Sequence, residues 1–226
     1  MCWSAPPPFE RAVAYGVYED RMREAIHAMK YHRMHPAAKR LGAMLAQAVI
    51  KLQGETSATM VVVPVPLHRS RHRERGFNQA RALAEHAIAA LGKTHPGWTL
   101  TLAPNALRRV RATKTQAGLS SRQRRLNMRT AFAVAHDRRV RGRDVLLVDD
   151  ILTTGATARS AALALKRGGA KTVWVATLAR AGRALPERGS LSQGTQQDRS
   201  HNTQHPGTLE EPANVSMHSP SSVEFI

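Results

Sequence analysis

The 226-residue chain holds a single cysteine, Cys2, so no internal disulfide can form. That excludes a disulfide-stapled secreted scaffold and reads as a reducing, cytoplasmic setting. One cysteine also cannot supply a four-ligand zinc site in a monomer, so no zinc is expected in this chain. Aromatic residues make up 4%, which leaves few stacking platforms for single-stranded nucleic acid. No apolar run reaches the ~18 residues of a membrane span, and the first residues lack the basic-then-apolar order of a secretory signal. The patterns GxxxxGK[ST], GxGxxG and GxSxG are all missing, which argues against a P-loop NTPase, a dinucleotide fold and a serine hydrolase elbow.

Acidic side chains are scarce too: 16 Asp and Glu against 34 Lys and Arg, a net charge of +18. Residues 186–226 hold five of those acids and two of the bases, so the surplus is larger in the rest of the chain. Such a balance suits polyanions, either a pyrophosphate or a nucleic-acid backbone, and equally a solvated Arg-rich surface.

Against that background, two adjacent acids stand out in the stretch VLLVDDILTTGAT, residues 145–157. Val145 to Val148 read as a buried strand, and Asp149 and Asp150 fall where it should end. A small hydroxylated turn follows, Thr153, Thr154, Gly155, Ala156 and Thr157, and then an Ala-rich helix. A helix N-terminus offers unpaired N–H groups and a favourable dipole to a phosphate. Threonine hydroxyls add donors, and paired carboxylates accept hydrogen bonds from vicinal sugar hydroxyls. A plain helix cap needs one Asp or Thr; it does not account for two acids and three threonines.

These residues resemble the phosphoribosyl-pyrophosphate (PRPP) signature of type I phosphoribosyltransferases. VVVPVPLHRSRHRERGFNQA (61–80) resembles the strand, basic loop and helix start of the ComF group, a competence-associated branch of phosphoribosyltransferase-like proteins. YEDRMREAIHAMKYHR (18–33) is similar to that group's opening helix. RRVRATKTQAGLSSRQRRLNMRTAF (108–132) is similar to its central loop, with Lys114, Thr115, Gln116, Leu119, Arg125, Asn127 and Phe132 in place. The resemblance spans roughly residues 9–180. Group members usually carry an N-terminal zinc module of CxxC pairs. CWSAPPPF resembles only the tail of such a module, most of which this chain lacks. His32 with His35, and His68 with His72, have metal-like spacing but read as basic-surface histidines.

The resemblance implies an α/β type I phosphoribosyltransferase fold: a mostly parallel twisted sheet, helices on both faces and a small N-terminal helical hood. Strands alternating with helices point the same way. The expected organisation is a hood over residues 1–55, a core over 56–185 and a polar, disordered tail over 186–226. Helices are expected over 19–34, 37–52, from Asn78 to about Leu91, and from Thr157 to Arg167. Strands are expected at 60–63, 98–102, 132–134, 144–149 and 172–178. The stretch 68–76 reads as a basic loop, and SSRQRRLNM as a short helix.

The resemblance also implies roles. Asp149 and Asp150 would be the catalytic acids that hold the ribose, directly or through Mg²⁺ carried by PRPP. Thr153 to Thr157 would hold the 5′-phosphate. In the basic loop, Arg69, Arg73, Arg75 and Gly76 would hold pyrophosphate, with His68 and Arg71 beside them, because guanidinium forks suit phosphate oxygens and glycine permits a tight turn. A lid over 109–125 would bring Arg111 and Lys114 to the leaving group. Two functions stay open: a transferase that displaces pyrophosphate by a nitrogen nucleophile, and a non-catalytic competence factor. The latter would handle incoming single-stranded DNA beside a helicase partner. A homo-oligomer is compatible with either.

Overall fold

A computed structural model of the protein describes residues 6–31, 35–110 and 131–181. In chain order the elements are β1 (Ala12–Val17), α1 (Asp20–Tyr31), α2 (His35–Ile50), β2 (Thr59–Pro64), α3 (Arg69–Arg75), α4 (Gln79–Thr94), β3 (Thr99–Leu102), β4 (Leu107–Arg109), β5 (Phe132–Val134), a 3₁₀ turn (Asp137–Arg139), β6 (Asp144–Leu152), α5 (Ala156–Arg167) and β7 (Thr172–Arg180). Five strands form one sheet in the order β1-β7-β6-β2-β3, and every neighbouring pair is parallel. β4 and β5 pair antiparallel as a separate two-stranded ribbon.

The central strands carry apolar residues without alternation because both faces are covered. Val61, Val63, Val145, Leu147, Val173 and Val175 pack on one side with Ala158, Ala161 and Leu165 of α5 and with Leu107 and Phe132 of the ribbon. Met60, Val62, Leu146, Val148, Trp174 and Ala176 pack on the other side with α1, α2 and α4, through Ile26, Met29, Leu45, Val49, Leu83 and Leu91. Each fully buried Leu, Val or Ile contributes on the order of 1.5–3 kcal/mol of transfer free energy. The layered order of the sheet therefore follows from where the apolar residues lie on each strand.

Three differences from the sequence reading have local causes. AVAYGV shows little periodicity, yet it forms β1: it is an edge strand, mostly half-buried, so packing sets its conformation. The expected hood of residues 1–55 thus includes an edge strand of the main sheet. The basic stretch after β2 is not a loop. His68 caps it, its ring Nδ1 accepting from the Ser70 N–H at 3.3 Å, and Gly76 ends it in the left-handed region at φ 78°, which closes a seven-residue helix. Phe132–Val134 is a strand as read, but it pairs with β4 instead of joining the main sheet. The lid residues Arg111 and Lys114, the SSRQRRLNM segment, Cys2 and the 186–226 tail lie outside the described residues.

Helix α2 crosses α4 at a glycine. A Cβ built on Gly42 would lie 2.3 Å from the His86 Cβ and 3.2 Å from the Ala87 backbone nitrogen. Gly42→Ala should therefore destabilise the fold by about 1–3 kcal/mol, despite alanine's better helix propensity. Urea denaturation would read this as a lower midpoint at unchanged slope.

Candidate functional site

The strand order fixes where a ligand can sit. β2 continues through α3 and α4 to β3 on one side, whereas β6 continues through α5 to β7 on the other. α4 and α5 cover opposite faces. The two chain paths diverge at the carboxyl ends of β2 and β6, the place where a sheet of this kind is expected to form a ligand crevice.

The acid pair stands in this crevice because β6 outruns β2. Their register ends at Pro64 opposite Val148, followed by a last hydrogen bond from the Val65 N–H to the Val148 carbonyl at 2.8 Å. β6 runs on to Leu152 against β7 alone. Asp149 and Asp150 are the first residues past the shared ladder, and successive strand side chains leave on opposite faces. Asp149 lies on the α5 side, opposite Thr177 in register. Asp150 lies on the α1 side, where its Oδ2 is 2.6 Å from Lys30 Nζ.

On the α5 side a small cavity is lined by Asp149, Thr153, Gly155, Thr157 and Thr177 over a floor of Leu147 and Val175. Its ~20 Å³ holds about one water, too little for a phosphate group. The turn from β6 into α5 is Leu152 to Gly155. Leu152 is buried and Thr153 and Thr154 are exposed. Gly155 sits at φ 72° and makes no side-chain cap bond, a conformation that costs other residues roughly 1 kcal/mol or more. The Ala156 N–H donates to Thr154 Oγ1 at 3.4 Å. With glycine at the cap, the first-turn amides of the twelve-residue α5 are left to backbone, threonine or ligand partners.

The electrostatics separate the two acids. Asp149 Oδ1 accepts a hydrogen bond from the Asp150 N–H at 2.9 Å. Its pKa is nevertheless raised to about 8, first by burial and then by the negative charge of Asp150; the hydrogen bond, Lys30 and Arg109 pull the other way. Arg109 reaches the site from β4. Its guanidinium stands 5.3 Å over the Phe132 ring. Burial lowers its pKa most, Arg71 of α3 lowers it further, and Asp149 raises it. Two cations from different parts of the chain thus act on the acid pair: Lys30 from α1, on both acids, and Arg109 from the ribbon, on Asp149.

The seven residues read from the signature, Asp149, Asp150 and Thr153 to Thr157, come together in the β6–α5 turn. Arg69 and Arg73 are exposed on α3. The Arg75 guanidinium donates to Gln79 Oε1 at 3.3 Å, back toward the start of α4. Gly76 is the left-handed stop of α3. Arg71 is the α3 arginine whose charge is felt at Arg109. The sequence reading gave no site role to Lys30, Arg109, Thr177 or Asn78. Asn78 opened the expected helix, and it also ties the start of α4 to the end of β2, its Nδ2 donating to the Val65 carbonyl at 3.1 Å. Lys30 had no local signal, because its partner lies 120 residues away.

Among the described residues no group of three or more His, Cys, Asp or Glu is arranged to hold a metal ion. Two carboxylates fit a hard cation that takes most of its ligands from phosphate and water. They do not fit a zinc cage.

Residues 76–208 match the family model described as "Phosphoribosyl transferase domain". The chain belongs to this family. It is also 36% identical over 181 residues to the DNA utilization protein YhgH of Salmonella typhi, covering 79% of this chain and 76% of that one. Competence protein F of Haemophilus influenzae is 31% identical over 183 residues, covering 80% and 77%. Competence protein ComFC of Bacillus subtilis is 28% identical over 164 residues, covering 72% and 61%. The chain is a ComF-group member of the phosphoribosyl transferase domain family. Among solved structures it is similar to the allosteric regulatory enzyme of purine biosynthesis, at TM-score 0.40 and 25% identity over 63% of this chain. It is also similar to the glutamine PRPP amidotransferase of B. subtilis complexed with ADP and GMP, at TM-score 0.39 and 25% identity over 62%. The chain spans about a quarter of each of those two chains.

The raised pKa of Asp149 has a signed consequence. The folded state keeps a proton that the unfolded chain releases near its ordinary value of 3.8. Stability should therefore fall as pH rises from about 4 through about 8, then level off. Asp149→Asn removes the titrating group. Urea melts at pH 5 and pH 8.5 should show the variant gaining on the wild type at the higher pH, by on the order of 1 kcal/mol or more.

Proposed function

We propose that the protein binds PRPP or a related sugar phosphate in the crevice between β2 and β6. The observation that carries this reading is the pairing, at one strand end, of two carboxylates with a glycine-capped helix start. The α5 N-terminus with Thr153, Thr154 and Thr157 takes the 5′-phosphate. Asp149 and Asp150 accept hydrogen bonds from the ribose hydroxyls. Arg71 and Arg109 supply positive charge on the α5 side, and Arg69, Arg73 and Arg75 extend it along α3 toward a pyrophosphate.

The reaction this arrangement suits is displacement of pyrophosphate from the anomeric carbon by a nitrogen nucleophile. The C–O bond to pyrophosphate breaks, a C–N bond forms, and the nitrogen gives up a proton. The protein would contribute position and charge more than covalent chemistry. Mg²⁺ bound with PRPP, with Asp149 as the nearer candidate carboxylate because Lys30 already occupies Asp150, would neutralise charge on the leaving pyrophosphate. Asp150 would also favour positive charge developing on the ribose ring.

A second reading rests on the basic surplus and on relatives named for competence and DNA utilization. In it, the protein handles single-stranded DNA with a helicase partner and the crevice binds a nucleotide without turnover. The two readings separate experimentally. Calorimetry with PRPP and Mg²⁺ should show saturable binding that Asp149→Asn with Asp150→Asn weakens by ~100-fold or more, since a hydrogen bond to a charged group contributes ~1.5–3 kcal/mol. Failure to bind PRPP at millimolar concentration would end the first reading. Salt-sensitive DNA binding that persists in the double variant would support the second.

A further inference from the structure

We propose that Lys30 is a positioning residue of the sugar site: its ion pair sets the Asp150 carboxylate to accept a ribose hydroxyl, which makes α1 part of the ligand-binding apparatus. This rests on the reading of the crevice as a sugar-phosphate site and adds a residue from outside the phosphoribosyltransferase signature.

The ion pair is close and shielded. Lys30 Nζ lies 2.6 Å from Asp150 Oδ2, and the two side chains are 16% and 15% exposed. Shielded ion pairs are poor glue, because the desolvation of both charges offsets much of their attraction. Nor does α1 need this one to dock. Ile26 and Met29, one turn and one residue before Lys30, are fully buried against the face of the sheet that carries Leu146 and Val148. An apolar side chain at position 30 would tie the helix down at least as well. What the pair does accomplish is local. Asp150 stands just past the end of the β2–β6 ladder, where no neighbouring strand from β2 restrains it, and Lys30 fixes its carboxylate from the α1 side.

The effect reaches the other acid. The Asp150 N–H donates to Asp149 Oδ1 at 2.9 Å, so the conformation of one residue holds the side chain of its neighbour. A carboxylate has about four acceptor positions. One ammonium leaves capacity for a hydroxyl, and its positive charge disfavours a second cation at that carboxylate. Lys30 therefore biases Asp150 toward a neutral hydroxyl donor. The phosphate subsite is separate: it is the β6–α5 turn on the opposite face of the strand. A sugar phosphate uses both parts, whereas inorganic phosphate uses only the turn.

That separation supplies the test. The full chain would be titrated by calorimetry with ribose 5-phosphate and with inorganic phosphate, without metal. The variants are Lys30→Met, Lys30→Arg, Asp150→Asn and the Lys30→Met/Asp150→Asn pair. Wild type should prefer ribose 5-phosphate. Lys30→Met should lower that preference about tenfold, equivalent to ~1.4 kcal/mol, with phosphate affinity held within about twofold. Lys30→Arg should recover most of the preference. The double variant should be no worse than Asp150→Asn alone, the non-additivity expected of a residue that acts through another. If Lys30→Met does not fold, the same ratio read on Lys30→Gln decides. An unchanged preference overturns the proposal. So does a parallel loss for both ligands with a lowered unfolding midpoint, which would mark a purely structural tie. A wild type with no preference for the sugar phosphate would instead overturn the functional reading on which the proposal stands.

Discussion

The hydrogen-bond ladder between β2 and β6 ends four residues before β6 does, and the rest of the site depends on that mismatch. A central parallel strand is normally satisfied on both edges and carries apolar residues on both faces. Through Val148, β6 meets that description. Past Val148 one edge has no strand partner from β2. Polar side chains there no longer compete with packed neighbours on that side, and two carboxylates can sit at the strand end. Had β2 run two residues further, Asp149 and Asp150 would flank a closed ladder with no crevice between the two chain paths.

Placing two acids on adjacent strand residues sends them to opposite faces, which divides the electrostatic problem. A pair of carboxylates on one face would repel at short range, and one would have to hold a proton. Opposite faces lessen that repulsion without removing it: the charge of Asp150 still raises the Asp149 pKa, while Lys30 contacts Asp150 and both Lys30 and Arg109 pull the Asp149 pKa down. The balance is unequal. Burial first, and the Asp150 charge second, raise the Asp149 pKa by more than the hydrogen bond, Lys30 and Arg109 lower it. A ligand that brings hydroxyl donors to the crevice changes this balance at both acids, because the Asp150 N–H bonded to Asp149 Oδ1 links them.

Much of this was legible in the chain itself. Val145 to Val148 before two acids, and Thr153 to Thr157 before an Ala-rich helix, fix a strand and a helix start within thirteen residues, although the strand, expected to end at Asp149, runs on to Leu152. Asn78 announces α4 by its side chain, and Gly76 marks a break. What was hidden depends on tertiary context. AVAYGV becomes a strand only because β7 offers it an edge. HRSRHRERG has no apolar period, yet a cap at one end and a left-handed glycine at the other suffice for a short helix. Lys30 and Arg109 sit among several other basic residues, and nothing in their own neighbourhoods distinguishes them from solvated charge. Only the folded chain shows that, among the described residues, Lys30 pairs with Asp150 and that Lys30 and Arg109 both act on Asp149.

The same selectivity bears on the choice between a sugar phosphate and a nucleic-acid backbone. A surplus of positive charge attracts any polyanion and scales with the number of phosphates neutralised. A ligand drawn by charge alone gains nothing from Asp149 and Asp150 and is repelled near them. On the proposed reading, paired carboxylates beside a helix start that presents its amides suit a molecule that carries both a phosphate and hydroxyl donors. The arginines of α3, by contrast, are largely exposed and indifferent to hydroxyls. If this chain binds a polynucleotide as well, the contact surface should be that exposed basic helix and its surroundings, with the acid pair acting as a local exclusion that keeps the crevice for the smaller ligand. Charge would then recruit, and the carboxylates would discriminate, from two adjoining parts of the same sheet edge.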